Sequence, residues 1–289
     1  MNVLLITDLD NTLYNWVDYF GMSFRGMTHA IAREMKIDEI EFIQGAKQVF
    51  KKAGTLEYAF LIQELPFISR YDEEQLKSFI EISKTVFQIV KSKNLIPYDG
   101  VIETFKYLNS VGVTIVAVTN APIYYGEWRL KELGIAKYIH GILGWEGLEV
   151  PKDKHTEHIR RNIYEGIYKS KHIKYRWAEP KENIKPNPVG YLKIISQLMV
   201  SHKNTYILGD SLGKDIAPAI EIGAHSIWAK YGTVFEKKNL DTLINITHWE
   251  DSQVKEEYAK KDIVPEFIIN DISELRQIIQ GPQLNLFKE

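Results

Sequence analysis

Two carboxylates stand two residues apart at the end of a run that only a buried strand accommodates. Val3-Leu4-Leu5-Ile6 leads directly into Asp8, Asp10, Asn11 and Thr12. A short, branched, unbroken apolar run suits the centre of a parallel sheet, covered on both faces. Asp8 and Asp10 then fall where the strand ends, the edge at which open α/β sheets bind ligands. Two acids that close repel each other unless a cation or a shared proton compensates. This stretch therefore predicts both the fold class and a charged site.

The chain beyond it divides in two. From about Trp16 to Asn94 little reads as a strand, and Gly54 and Pro66 are almost the only punctuation. Three apolar faces recur at helical spacing: Met22, Met27, Ile31 and Met35; Phe42, Ala46, Val49 and Phe50; Phe79, Ile82, Val86, Ile89 and Val90. About four helices are expected, forming an all-helical module over residues 15–96, with Pro97-Tyr98-Asp99-Gly100 as the return point. After it strands and helices alternate. Val113–Val118 runs into Thr119-Asn120, Ile139–Leu143 is a weaker strand, Thr205–Leu208 runs into Gly209-Asp210-Ser211, and His225–Ala229 and Phe267–Ile269 follow. Repeated strand–helix units imply a parallel sheet with helices on both faces and right-handed crossovers, a Rossmann-like core over residues 1–14 and 97–289.

Composition narrows the function classes. At 289 residues, with 45% hydrophobic and 26% charged residues, the chain can bury a sizeable core. A net charge of -2 offers no global attraction for nucleic acid or a membrane surface. With no cysteine, thiol nucleophiles, disulfides and thiolate metal sites are excluded. The first apolar run is too short for a signal peptide and no stretch approaches a bilayer span. A cytoplasmic monomer or homodimer is expected.

In a parallel sheet all strand C-termini share one edge, so Asp8–Thr12, Thr119-Asn120 and Gly209-Asp210-Ser211 should converge. Lys185-Pro186-Asn187-Pro188 precedes the helix leading into the third of these strands, and its prolines would hold Lys185 at the same edge. On these four segments the chain resembles the haloacid dehalogenase-like (HAD) hydrolases. DLDNT at Asp8–Thr12 is similar to that family's DxDxT, Thr119 fits its Ser/Thr motif, and Lys185 its lysine motif. GDSLGKD at Gly209–Asp215 resembles its GDxxxxD. The likeness covers about Met1–Leu13 and Gly100–Tyr231, with the helical module in the place of the family's cap.

The resemblance implies an Mg²⁺-dependent phosphatase acting on a small phosphorylated metabolite. Asp8 would be the nucleophile, forming an aspartyl-phosphate, and Asp10 the acid that protonates the leaving group and later activates water. Asp8, the backbone carbonyl of Asp10, and Asp210 would hold Mg²⁺, with Asp215, Thr12 and Ser211 behind them. Thr119, Asn120 and Lys185 would hold the phosphoryl oxygens. Asp10 favours a phosphatase over a dehalogenase, since halide leaves without a proton. Phosphomutase activity shares all four motifs, and a non-catalytic binding protein on this fold stays open. A phosphonate hydrolase would need a reactive cap lysine, and Lys36, Lys47, Lys51 and Lys52 offer themselves equally.

Two segments read as additions, 146–184 and 239–264. Trp145–Arg176 is basic, with Lys152, Lys154, Arg160, Arg161, Lys169, Lys171, Lys174 and Arg176 interleaved with aromatics. That pattern invites a polyanion reading, but a solvated face with aromatics packed on the core accounts for the same residues. No nucleic-acid partner is expected. Trp16, Tyr19, Arg25 and His29 lie just past the first motif and are candidates to face the site.

Overall fold

The computed structural model describes residues 2–148, 166, 169–247 and 262–281. Its strands are β1 (Val3–Thr7), β2 (Val113–Pro122), β3 (Gly141–Trp145), β4 (Tyr175–Glu179), β5 (Thr205–Gly209), β6 (His225–Ala229) and β7 (Phe267–Ile269). They form one sheet in the order β4-β3-β2-β1-β5-β6-β7, every neighbouring pair parallel. β1 lies at the centre, with β2 and β5 on either side. Alternate residues of β1 feed two separate cores. Val3 and Leu5 pack with Phe105 and Leu108 of α4 (Val101–Ser110), while Leu4 and Ile6 pack with Tyr191, Ile194 and Ile195 of a helix over Val189–Gln197 on the other face. This is an α/β Rossmann-like core with helices on both faces.

The helical segment holds α1 (Trp16–Met35), α2 (Glu39–Ala53) and α3 (Glu73–Asn94). Asn15 caps α1, its side chain accepting from the Asp18 N–H, and Asp72 starts α3 with a capping box to Gln75. Three long helices stand where about four were expected. Between Gly54 and Asp72 the chain makes only short 3₁₀ turns at Ile62–Glu64 and Ile68–Arg70, because Pro66 removes a backbone donor in the middle of that stretch. The Phe42, Ala46, Val49 and Phe50 face is fully buried, whereas Ile89 on α3 stays 51% exposed. The segment leaves and rejoins the sheet at one place. Tyr14 bridges to Pro97, and the Tyr98 N–H donates to the Leu13 carbonyl at 2.9 Å.

β4 lies inside the stretch read as an insert. Its Tyr-Arg-Trp-Ala-Glu sequence buries Trp177 and Glu179 and exposes Tyr175 and Ala178, an edge-strand alternation masked by its charges. Arg176 turns inward to pair with buried Glu127 at 2.7 Å, and Trp145 and Trp177 are core residues, so this end of the basic segment is structural. Lys152, Lys154, Arg160 and Arg161 lie outside the described residues. The 239–264 segment begins within a helix over Lys237–Ile246 that packs on α1, and Arg25 of α1 reaches its Lys238 carbonyl at 3.2 Å. Residues 248–261 lie outside the description. Among the described residues no helix is long and apolar enough to cross a membrane.

Candidate active site

The four motifs meet at the carboxyl edge of the three central strands. Asp8 follows β1, its N–H donating to the Leu208 carbonyl of β5 at 2.8 Å. Asn11 then takes a left-handed conformation (φ 61°), which a short polar side chain tolerates. Its Oδ1 accepts from the N–H groups of Trp16 and Val17 at 3.0 and 3.2 Å, so the same turn that carries the acids also starts α1. At the far side Gly209 ends β5. A Cβ there would lie 2.2 Å from Cγ of Asp215, so only glycine lets that carboxylate fold back over the strand end. A wide turn over Leu212–Ile216, capped by Ser211 Oγ accepting from the Lys214 N–H at 3.0 Å, carries Asp215 into place.

Lys185 is the hub. Only 6% exposed, its Nζ lies 2.5 Å from Asp8 Oδ1 and 2.7 Å from Asp215 Oδ1. Burial alone would push its pKa down, but the carboxylates of Asp215 and Asp8 outweigh burial and hold it well above the ordinary lysine value. Asp8 Oδ2 accepts from the Thr12 hydroxyl at 3.2 Å. Burial, reinforced by the charges of Asp215 and Asp10 and opposed by Lys185, pushes the Asp8 carboxyl up to about 7. Burial followed by the charges of Asp8 and Asp215 raises Asp210 well above the carboxylate range. Asp8, Asp210 and Asp215 bring carboxylate oxygens within 4.8 Å of one another.

Such a cluster fits a hard dication that takes carboxylate oxygens and shares the rest of its shell with water and substrate. The three acids are unequal. Both oxygens of Asp215 are engaged, Oδ1 by Lys185 and the Tyr191 hydroxyl and Oδ2 by the Ser211 N–H at 3.2 Å. Asp8 is engaged at both oxygens as well, by Lys185 and the Thr12 hydroxyl, so a cation would share or displace one of those contacts. Asp215, with three donors on it and 1% exposed, fixes Lys185 and the 211 turn, which leaves Asp8 and Asp210 as the candidates to touch a cation.

Asp10 turns its carboxylate elsewhere. Oδ2 accepts from the Thr119 hydroxyl at 3.4 Å, while Oδ1 accepts from the Tyr14 hydroxyl and, at 3.1 Å, from Arg129. Arg129, on α5 (Ile123–Glu132), also pairs with Glu57 of the helical segment. Thr119 is fully buried, its oxygen accepting from the Ala121 N–H at 3.0 Å. The Asn120 amide donates to the Lys185 carbonyl at 2.8 Å, so in this arrangement it anchors the lysine's loop. Asp8, Asp10, Asn120, Lys185, Asp210, Ser211 and Asp215 all line one cleft of about 640 Å³, which Trp16 also borders.

Arg129, Glu57, Tyr14 and Tyr191 were not foreseen from the sequence. For Arg129 a faint signal exists, an arginine beside Leu130 on the apolar side of a helix, but nothing in sequence names its partners. Tyr19 is buried near Arg129, whereas Arg25 serves the α1 contact and His29 pairs with Glu39 at the surface. Lys36, Lys47, Lys51 and Lys52 are all exposed. Desolvation lowers Lys91 of α3 to about 8, over the Trp128 ring, but Lys91 is not among the residues lining the cleft.

The buried cluster predicts a stability effect. Arg129→Met leaves Asp10 and Glu57 without their cation and should cost about 3–5 kcal/mol, read as a lower urea midpoint at unchanged slope. A change below about 1 kcal/mol would mean that water already screens the pair.

A family model described as haloacid dehalogenase-like hydrolase matches residues 4–223, and a HAD-hydrolase-like model matches residues 184–275. Among solved structures, 2-haloacid dehalogenase from Pseudomonas syringae pv. tomato DC3000 is similar at 16% identity and a TM-score of 0.56. That match covers 96% of this chain and 98% of the other. A putative β-phosphoglucomutase from Thermotoga maritima gives 15% and 0.53 over 96% and 100% of the two chains. A HAD phosphatase from Thermococcus onnurineus gives 17% and 0.51 over 97% and 99%. At such identities the structural likeness speaks to the fold alone. The family model, which spans most of the sequence with all four motif segments inside it, carries the assignment: the chain belongs to the haloacid dehalogenase-like hydrolase family.

Proposed function

We propose that the protein is an Mg²⁺-dependent phosphatase that hydrolyses a small phosphomonoester through a phosphoaspartate on Asp8, with residues 15–96 acting as a cap over the site. The observation that carries this reading is the division of labour between two acids. Asp8 sits in the lysine-held cluster, and Asp10 faces away from it, towards Thr119 and the helical segment. Phosphate esters need both a nucleophile and a proton donor, and a halide leaving group would have no use for the second acid.

In the first half-reaction an Asp8 carboxylate oxygen bonds to phosphorus as the ester P–O bond breaks, and the departing alkoxide takes its proton from Asp10. In the second, Asp10 removes a proton from water, whose oxygen attacks phosphorus and releases Asp8. Lys185, fixed by Asp215, sets positive charge beside the nucleophile and the phosphoryl oxygens. Thr119, bonded to Asp10, would supply a further donor to the phosphoryl oxygens. A bound Mg²⁺, held by Asp8, Asp210 and the Asp10 carbonyl, would supply charge neutralisation to the phosphoryl group.

Phosphate release from a panel of metabolite esters, with Mg²⁺ and with EDTA, tests this directly. Turnover that needs Mg²⁺ and disappears with EDTA is expected, and a protein that releases no phosphate from any ester loses the reading.

The raised pKa values give a second expected result. Asp8 and Asp210 are held above their unfolded values, so the stability they contribute is fully present below the unfolded carboxylate range. For Asp8 it is lost as pH rises through about 7. A dication that needs both ionised should offset that loss. Saturating Mg²⁺ should then raise Tm by about 5 °C near pH 8 and by less than half of that near pH 5. An equal shift at both pH values would separate metal binding from this cluster.

A further inference from the structure

We infer that the leaving group of the substrate is predominantly apolar, an alkyl or arylalkyl alcohol rather than a sugar or a nucleoside. This rests on the phosphatase reading of the same cleft. Beyond the carboxylates, one wall comes from the helical segment through Trp16, Val17 and Leu56. An adjoining wall comes from Phe235, Leu240 and Ile244, in and just before the helix over Lys237–Ile246, which packs against α1. Ile244 is 44% exposed, a large side chain left open to the cleft side of that helix.

Many of the polar groups that a polyhydroxy leaving group would seek are already engaged within the protein. The Trp16 indole N–H donates to Glu57 Oε1 at 3.1 Å and the Trp228 indole N–H to the Asp210 carbonyl at 2.8 Å. Asn11 Oδ1 takes two backbone N–H groups, Thr55 Oγ1 accepts from the Glu57 N–H, and the Thr233 hydroxyl donates to the Lys230 carbonyl. The Asn120 amide nitrogen is held by the Lys185 carbonyl, which leaves its Oδ1 and Glu57 Oε2 as buried acceptors without a partner, two positions for a leaving group with many hydroxyls. A sugar bound here would lose its water hydrogen bonds for few replacements, which is costly. An alkyl chain laid against these apolar side chains would gain from leaving water. At about 640 Å³ the cleft holds a chain of several carbons beyond the phosphate.

The test compares hexyl phosphate and 2-phenylethyl phosphate with glucose 6-phosphate, glycerol 3-phosphate and AMP. The two alkyl esters have leaving alcohols about as basic as those of the sugars, so intrinsic reactivity does not decide the ranking. In Mg²⁺ the apolar esters should show kcat/KM at least about 30-fold higher, mostly through KM. Ile244→Gln should compress that ratio several-fold. In parallel, calorimetry should find that hexylphosphonate, which cannot be hydrolysed, binds at least about tenfold tighter than methylphosphonate. Sugar phosphates or AMP turned over as well as the hexyl ester, or equal binding of the two phosphonates, overturns the inference. Preferential binding of hexylphosphonate with no turnover of any ester would uphold the apolar site and remove the phosphatase reading instead.

Discussion

Asp8→Asn is expected to abolish turnover, by roughly 10⁵-fold, while the protein stays folded. The substitution replaces one oxygen by nitrogen at constant shape, so Lys185 Nζ keeps its acceptor at the 2.5 Å position while the Thr12 hydroxyl, 3.2 Å from the other oxygen, turns to accept from the new amide N–H. What disappears is the carboxylate electron pair, and an amide does not attack phosphorus. Removal of a charge that burial already disfavours at this site works against any large loss of stability. Two measurements separate the catalytic role from a structural one. Steady-state phosphate release should vanish while Tm changes by only a few degrees. Mass spectrometry of acid-quenched protein with substrate should show a phosphoryl adduct on the unaltered chain and none on the variant. A variant that keeps more than about 1% of the rate would mean that water, rather than Asp8, attacks the ester.

How far the sequence led to this site depends on what kind of contact held each residue. Asp8 and Asp210 sit immediately after strands, Asp10 two residues beyond Asp8, and Thr119 within β2 at the end of its apolar run; those runs announce burial, and the parallel topology then forces their convergence. Lys185 was legible only through its place in the motif order. Its side chain crosses to Asp8 from a loop 177 residues away in sequence. Arg129 and Glu57 carry no such marker. They meet because α5 and the stretch after α2 come together in the fold, and no local periodicity encodes that pairing. Asn120 shows a different limit. Its position beside Thr119 suggests a phosphate contact, and in the fold its amide also satisfies the carbonyl of Lys185, a backbone demand invisible before the loop is folded. In the sheet β4 escaped notice because an edge strand with Arg176 and Glu179 lacks the apolar run that marked the others. The short 3₁₀ turns after α2 replace a full helix for the local reason that Pro66 interrupts them.

Asp10→Asn should divide the reaction into its two halves. The variant keeps an oxygen to accept from Tyr14 and Arg129, so the cluster against the helical segment should persist. It can neither give a proton to the leaving group nor take one from water. With an alkyl phosphate, whose departing alkoxide is strongly basic, kcat should fall about 10²–10⁴-fold because the first step fails. With p-nitrophenyl phosphate the leaving phenolate needs no proton, so the first step should survive. Rapid mixing should then show a burst approaching one nitrophenolate per protein, followed by a steady rate about 10²–10³-fold below that of the unaltered enzyme. The phosphoaspartate should accumulate, since water reaches it without a base. Equal losses on both substrates with no burst would place Asp10 in the geometry of the cluster rather than in proton transfer. In that case Arg129→Lys, which moves the same carboxylate without removing it, should reproduce the defect.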